Sequence, residues 1–225
     1  MIVVGAPVFE RGWILQRWFD GLAQQDLELM VVLNYGPGTD DTLAIIERNR
    51  ERFPIHVVQT PGVEHVAERQ WNLPRYVVMT TLRNDLLRVV RQLSPDYFLS
   101  CDTDMLMPPG ALQTLIETIE PYDGIAPLTF MTHQDCEHPN WLTADLQRPA
   151  VPHGITEQYA VFGTVLMNRA LYAVDYGPHN WGEDLGWAAN VRTQGLRLAM
   201  NADVKVKHVM FREALDVFDD RVGMA

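Results

Sequence analysis

The sequence has little cysteine, little lysine and no long apolar run. Two cysteines, Cys101 and Cys136, provide no disulfide framework, so a reducing cytoplasm is the expected compartment. No apolar stretch approaches the ~18 residues of a membrane span, so a membrane-embedded synthase is not expected. Residues 1–7 lack a basic n-region, which predicts no signal peptide there. Only two of the 18 basic residues are lysines, Lys205 and Lys207, and this arginine bias points to a GC-rich genome, bacterial or phage. Basic excess is also missing. Against 29 acids the net charge is −11, which argues against general nucleic-acid binding. An anionic ligand would have to be met by arginines or by a metal. Repeats, low-complexity tracts and Gly/Ser linkers are absent, and 225 residues suit a single domain. With 47% hydrophobic and 21% charged residues, the composition is that of a soluble globular chain and not of a disordered one.

What is present alternates between strand and helix patterns. Residues 2–6 form a β-branched run ended by Pro7, and 29–33, 55–58 and 97–101 read as further buried strands. Residues 13–24 place Ile14, Trp18 and Leu22 on one helical face. Asn34 to Gly38 is turn chemistry, and Thr39 or Asp40 caps a helix running to about Arg52. Leu82, Leu86, Val89, Val90 and Leu93 repeat at helical spacing up to Ser94-Pro95. Pro108-Pro109 opens a helix carrying Leu112, Leu115, Ile116 and Ile119. Residues 125–128, 161–168 and 204–208 read as strands, and 183–194 as a helix stopped by Gly195. Residues 131–159 are rich in His, Pro, Trp and acids without a period, which predicts a long surface loop. The order predicts an α/β chain with a mostly parallel central sheet flanked by helices.

Three segments carry chemistry. Residues 97–101 deliver Asp102 and Asp104 to the carboxyl end of a buried strand, where ligands bind in open α/β sheets. At i and i+2 on an extended backbone the two carboxylates would share one hard cation such as Mg²⁺ or Mn²⁺. Glu183 and Asp184 open a helix behind Trp181-Gly182, which suits either simple N-terminal capping or a general base. His208 ends an alternating strand on the face of Val204 and Val206, either as a structural imidazole or as a ligand to the same metal. His133, Asp135, Cys136, Glu137 and His138 match no standard zinc spacing and read as a solvated acceptor loop.

Together, residues 3–11, Thr39-Asp40-Asp41-Thr42, Arg83-Asn84, Asp102-Thr103-Asp104, Phe162-Gly163-Thr164, Gly182-Glu183-Asp184 and His208 resemble, in order and spacing, the GT-A-type glycosyltransferases of family 2. The resemblance implies a single GT-A (Rossmann-like) domain over 1–225. Its nucleotide-binding half would be 1–104 and its acceptor-side half 105–225, including the loop 131–159. It implies a metal-dependent transfer from a UDP- or GDP-type sugar donor to an acceptor hydroxyl. Mn²⁺ or Mg²⁺ would sit on Asp102, Asp104 and His208. Asp184 would be the base of an inverting displacement, with Glu183 orienting the acceptor. Pro7, Phe9, Arg11, Asn34, Tyr35, Arg83, Asp102 and Thr103 would border the nucleotide-sugar, and Trp181, Gly182 and Trp141 the acceptor. Asn34 stands where the family usually carries a base-reading aspartate, which leaves the donor open. The helix containing Arg83-Asn84-Asp85-Leu86-Leu87 also resembles retaining mannosyltransferases, which leaves the stereochemistry open. Two other readings stand beside this one. A sugar-phosphate nucleotidyltransferase normally has a Gly-rich basic loop after its first strand, which residues 7–11 do not supply. A non-catalytic nucleotide- or carbohydrate-binding module would not need the full carboxylate set. The acceptor (saccharide, lipid, protein or a modified DNA base) and the oligomeric state are open.

Overall fold

The computed structural model describes residues 1–63, 71–133, 136–139, 141–142 and 153–215, and no side chain between 130 and 142. Strands β1 (Ile2–Val8), β2 (Leu29–Tyr35), β3 (Ile55–Val58) and β4 (Tyr97–Cys101) form a parallel half-sheet in the order β3-β2-β1-β4. Helices α1 (Leu15–Ala23), α2 (Thr42–Arg48) and α3 (Leu73–Leu93) connect them. Then follow β5 (Met105–Leu106), α4 (Ala111–Thr118), β6 (Gly124–His133), β7 (Cys136–Pro139), β8 (Trp141–Leu142), β9 (Ile155–Gln158), β10 (Ala160–Val161), β11 (Thr164–Met167), α5 (Arg169–Tyr172), α6 (Glu183–Thr193) and β12 (Leu198–His208). The sheet continues β4-β11-β6-β12-β5. It is mostly parallel; β11 is inserted antiparallel between β4 and β6, and β5, β7 and β9 add antiparallel pairings. β12 runs parallel to β6, and β8 pairs with β10 in a separate small ribbon.

The strands are apolar on both faces because helices cover both. Val4, Val31, Leu33 and Leu99 pack in one cluster with Trp18, Phe19, Ile46 and Leu112. Their alternates Val3, Val32 and Phe98 pack in the other with Leu86, Leu87, Val90 and Trp187. This period-2 split is what a doubly covered parallel sheet requires.

Four sequence expectations need correction. Pro7 does not end β1, which runs to Val8. Its pairing with β4 stops at Gly5, so beyond that point a proline meets no ladder on that side. Asn34 and Tyr35 are not turn residues but the buried end of β2, because pairing with β1 extends through both. Residues 131–159 are not one loop: β6 runs to His133, and β7, β8 and β9 follow. Backbone pairing, which needs no apolar period, orders these short segments. Residues 161–168 divide between β10 and β11.

Candidate active site

Arg83 is the centre of the site. It lies in the middle of α3, and only 3% of its side chain is exposed. Its Nη2 donates to Asp102 at 3.0 Å, its Nε to Glu183 Oε1 at 3.2 Å, and its Nη1 to Ser100 Oγ at 3.4 Å. Asp184 Oδ1 lies 3.9 Å from Nε, and the guanidinium sits 5.4 Å from the centre of the Tyr176 ring. One cation thus gathers the carboxylate after β4 and the two carboxylates that open α6. Burial works against its charge, but Asp102, Asp184, Tyr176 and Glu183 outweigh burial and hold it charged, well above the ordinary arginine value.

The neighbouring Asn84 explains how the segment before α6 is held there. Its amide nitrogen donates to the Tyr176 carbonyl at 3.0 Å, and its oxygen accepts from the Tyr176 N–H at 2.7 Å. Tyr176 stacks on Trp187 of α6 with ring centres 5.5 Å apart. The turn into α6 depends on Gly182, at φ 129°, a backbone region open essentially to glycine alone. Glu183 and Asp184 occupy the first turn of the helix, where the dipole favours negative charge.

Asp184 is the perturbed acid of the cluster. Burial pushes its carboxyl up to about 8; Arg83 and a backbone hydrogen bond involving Gly163 oppose the rise, while Glu183 and Asp102 add to it. With 18% of the side chain exposed, it keeps an edge toward solvent. A carboxylate poised near neutral pH, with access to an incoming molecule, has the chemistry of a general base. Burial also pushes the Tyr176 phenol up.

Asp104 belongs to a second group. The backbone turns after Cys101, with Met105 N–H donating to the Asp102 carbonyl at 2.9 Å. The period-2 rule therefore fails here, and the two aspartates meet different partners. Asp102 meets Arg83. Asp104, 4% exposed, lies 3.4 Å from His208 Nε2 through Oδ1 and 3.8 Å from Arg11 through Oδ2. His208 is paired with Met105 across β12 and β5, and the Asp104 carbonyl accepts from Val209 N–H at 2.8 Å. Among the described residues no group of three or more His, Cys, Asp or Glu side chains is gathered to hold a metal. The Asp104–His208 pair nevertheless fits a divalent ion. Two ligands at ~2.1 Å on adjacent octahedral positions lie roughly 3 Å apart, and Mg²⁺-type sites commonly use one or two protein ligands plus waters and substrate phosphates. An imidazole beside a carboxylate also suits Mn²⁺.

The remaining candidates are placed as follows. Thr103 is 2% exposed. Asn34, 1% exposed, donates its amide nitrogen to Thr60 Oγ1 at 2.8 Å and to the Leu82 carbonyl at 2.9 Å, while its Oδ1 is buried without a hydrogen-bond partner. Tyr35 packs into the apolar core. Pro7 is half-buried at the end of β1, and half-buried Phe9 lies beside Gly38 on the loop that follows. Trp181, 70% exposed, stands immediately before Gly182 with its ring edge to His179. The backbone of Trp141 lies in β8; its side chain is outside the described residues, as are those of His133, Cys136, Glu137 and His138 and all of Asp135. Sequence reading missed Ser100 and Tyr176. Ser100 was legible only as a strand residue, and no local signal marks Tyr176.

The fold can be matched to solved structures. The chain superimposes on S. aureus TarS (residues 1–349) in complex with UDP-GlcNAc with a TM-score of 0.64 at 16% identity, covering 92% of this chain and 57% of that one. The chain has a GT-A fold. A mannosyltransferase, PcManGT from Pyrobaculum calidifontis, in complex with GDP-Man and Mn²⁺, matches this GT-A chain with a TM-score of 0.63 at 13% identity, over 96% of it and 59% of the mannosyltransferase. GalNAc-T7 with UDP, GalNAc and Mn²⁺ gives 0.62 at 13% identity, over 92% of the GT-A chain and 43% of GalNAc-T7. The chain thus spans little more than half of the TarS structure. No family model and no curated protein matches the sequence. No described helix is long and apolar enough to cross a membrane.

Proposed function

We propose that the chain is a nucleotide-sugar-dependent glycosyltransferase of the inverting type that uses Mn²⁺ or Mg²⁺. The observation that carries this reading is the convergence of Asp102, Glu183 and Asp184 on one buried guanidinium at the carboxyl end of β4. It supports a site with a donor side and an acceptor side in contact, on a fold whose neighbours include proteins bound to UDP-GlcNAc and GDP-Man.

In this reading Asp104 and His208 would hold the metal, which would supply positive charge near the departing diphosphate. Asp184 takes the proton of the acceptor hydroxyl. The acceptor oxygen then bonds to the anomeric carbon on the face opposite the diphosphate. The bond from that carbon to the diphosphate oxygen breaks, and its electron pair leaves with the nucleotide. Glu183, held by Arg83, orients the acceptor. Trp181 offers an exposed ring face to a sugar. The loop around Pro7, Phe9 and Arg11 borders the nucleotide with Arg83, Asp102 and Thr103, while the buried Asn34 and Tyr35 support the floor of that side.

The test is a thermal-shift panel of UDP, GDP, CDP and ADP with their sugars, each with and without Mn²⁺. A ligand at ~100 times its Kd stabilises by about 2.7 kcal/mol. A metal-dependent rise in Tm with one nucleotide, lost in Asp104→Ala, is the expected result. No rise with any nucleotide would refute the reading and favour a binding module of another kind.

A further inference from the structure

We propose that Arg11 is a built-in counter-ion for Asp104, that a divalent ion must displace it, and that the donor's diphosphate then receives the displaced guanidinium. The second half rests on the nucleotide-sugar reading of the site; the first half does not. Each oxygen of Asp104 faces a base: Oδ1 lies 3.4 Å from His208 Nε2 and Oδ2 lies 3.8 Å from Arg11 Nη2. Asp104 has almost no access to water, so its charge must be balanced by protein groups or by an ion. An ion bound to Asp104 and His208 would place two positive charges against a guanidinium already positioned there. Like charges at that separation repel, so metal and Arg11 compete for the same carboxylate.

The backbone of this loop is anchored independently of the Arg11–Asp104 contact. The Arg11 N–H donates to Thr42 Oγ1 at 2.7 Å, and the Gly12 N–H donates to Asp40 Oδ2 at 2.7 Å. Both bonds tie the loop to the start of α2. The Arg11 side chain is 23% exposed, so solvent reaches one side of the guanidinium stem. It stands beyond the carboxyl end of β1, next to the turn that carries Asp104, on the side where open α/β sheets take phosphates. A guanidinium released there is matched to diphosphate oxygens. Metal and diphosphate then assist each other through one arginine: the metal frees it, and the diphosphate takes it up.

The experiment titrates chelator-stripped protein with Mn²⁺ alone, following free Mn²⁺ by electron paramagnetic resonance. Arg11→Gln is expected to bind Mn²⁺ about tenfold more tightly than the wild type, because a divalent ion no longer competes with a partly exposed unit charge. Asp104→Asn is expected to bind more weakly than either. Equal or weaker binding by Arg11→Gln, retained binding by Asp104→Asn, or no Mn²⁺ binding by any of the three overturns the proposal. Calorimetry with UDP and GDP tests the second half. Arg11→Gln should weaken nucleotide binding at saturating Mn²⁺ and leave it unchanged without metal. Equal weakening under both conditions would make Arg11 a plain phosphate contact and overturn the exchange. A wild type that binds neither nucleotide would refute the transferase reading and the uptake of Arg11 by diphosphate, leaving the Mn²⁺ competition to be judged on its own titration.

Discussion

Replacing Asp184 with asparagine separates what this carboxyl does for chemistry from what it costs the fold. Asparagine keeps the shape and carries no proton to lose. In the folded chain Asp184 titrates near 8 against an ordinary 3.8, chiefly because it is buried. The fold therefore prefers the protonated form. That contribution to stability is fully present below about pH 3.8 and is lost as the pH rises through about 8. The two values lie about four pH units apart, and each unit corresponds to ~1.36 kcal/mol, so the ceiling is roughly 5–6 kcal/mol. Solvent still reaches 18% of the side chain, which screens part of this difference. Discounting by about half leaves ~2–3 kcal/mol at pH 8.5. Asp184→Asn should match the wild type within about 0.5 kcal/mol at pH 4.5 and exceed it by ~2–3 kcal/mol at pH 8.5, a gain of roughly 5–10 °C in Tm. Urea unfolding at several pH values, with a chelator present, measures the gap. Sugar transfer, once an acceptor is in hand, should be lost at every pH. A gap that does not change with pH, or a variant less stable than the wild type at pH 8.5, would refute the reasoning.

Three further outcomes follow from the geometry. Arg83→Met leaves Asp102, Glu183 and Asp184 without their shared cation and should cost about 3–5 kcal/mol in thermal unfolding, with Arg83→Lys intermediate because it keeps the charge but not the fork. Gly186→Ala would set a methyl group 1.9 Å from the Gly177 carbonyl oxygen, so α6 must shift; a loss of ~1–3 kcal/mol and a fall in kcat are expected from Tm and turnover measurements. Trp181→Ala should leave stability within about 0.5 kcal/mol, since the ring is largely exposed, while raising the acceptor KM and leaving the donor KM unchanged in steady-state kinetics.

The parallel half of the sheet was legible because its strands are buried on both faces and its helices carry apolar stripes; β3, β4, the first five residues of β2 and the end of α3 at Ser94 follow from pattern alone. The mixed half after β4 was not. β7 and β9 are four-residue strands without an apolar alternation whose order comes from pairing with β6 and β12, and local composition does not encode such pairing. The motifs were legible one by one as acids at element ends. Their assembly was not, because Arg83 meets Glu183 across 100 residues and Asp104 meets His208 through a strand pairing. The alternation rule misled at Asp102 and Asp104, since the strand stops one residue before the first of them.

The pairing of β12 with β5 has a consequence for how such a site can change over time. Asp104 and His208 are held at their spacing by backbone bonds on both sides, through Met105 and Val209, and not by the identity of the side chains. Position 208 can therefore exchange its donor atom without moving its Cα. An aspartate there would offer a second hard oxygen suited to Mg²⁺, where the imidazole suits softer ions such as Mn²⁺. On the proposed reading, metal preference would be a trait that one substitution alters while the scaffold stays as it is, so lineages sharing this ladder would diverge in the ion they use without refolding the site.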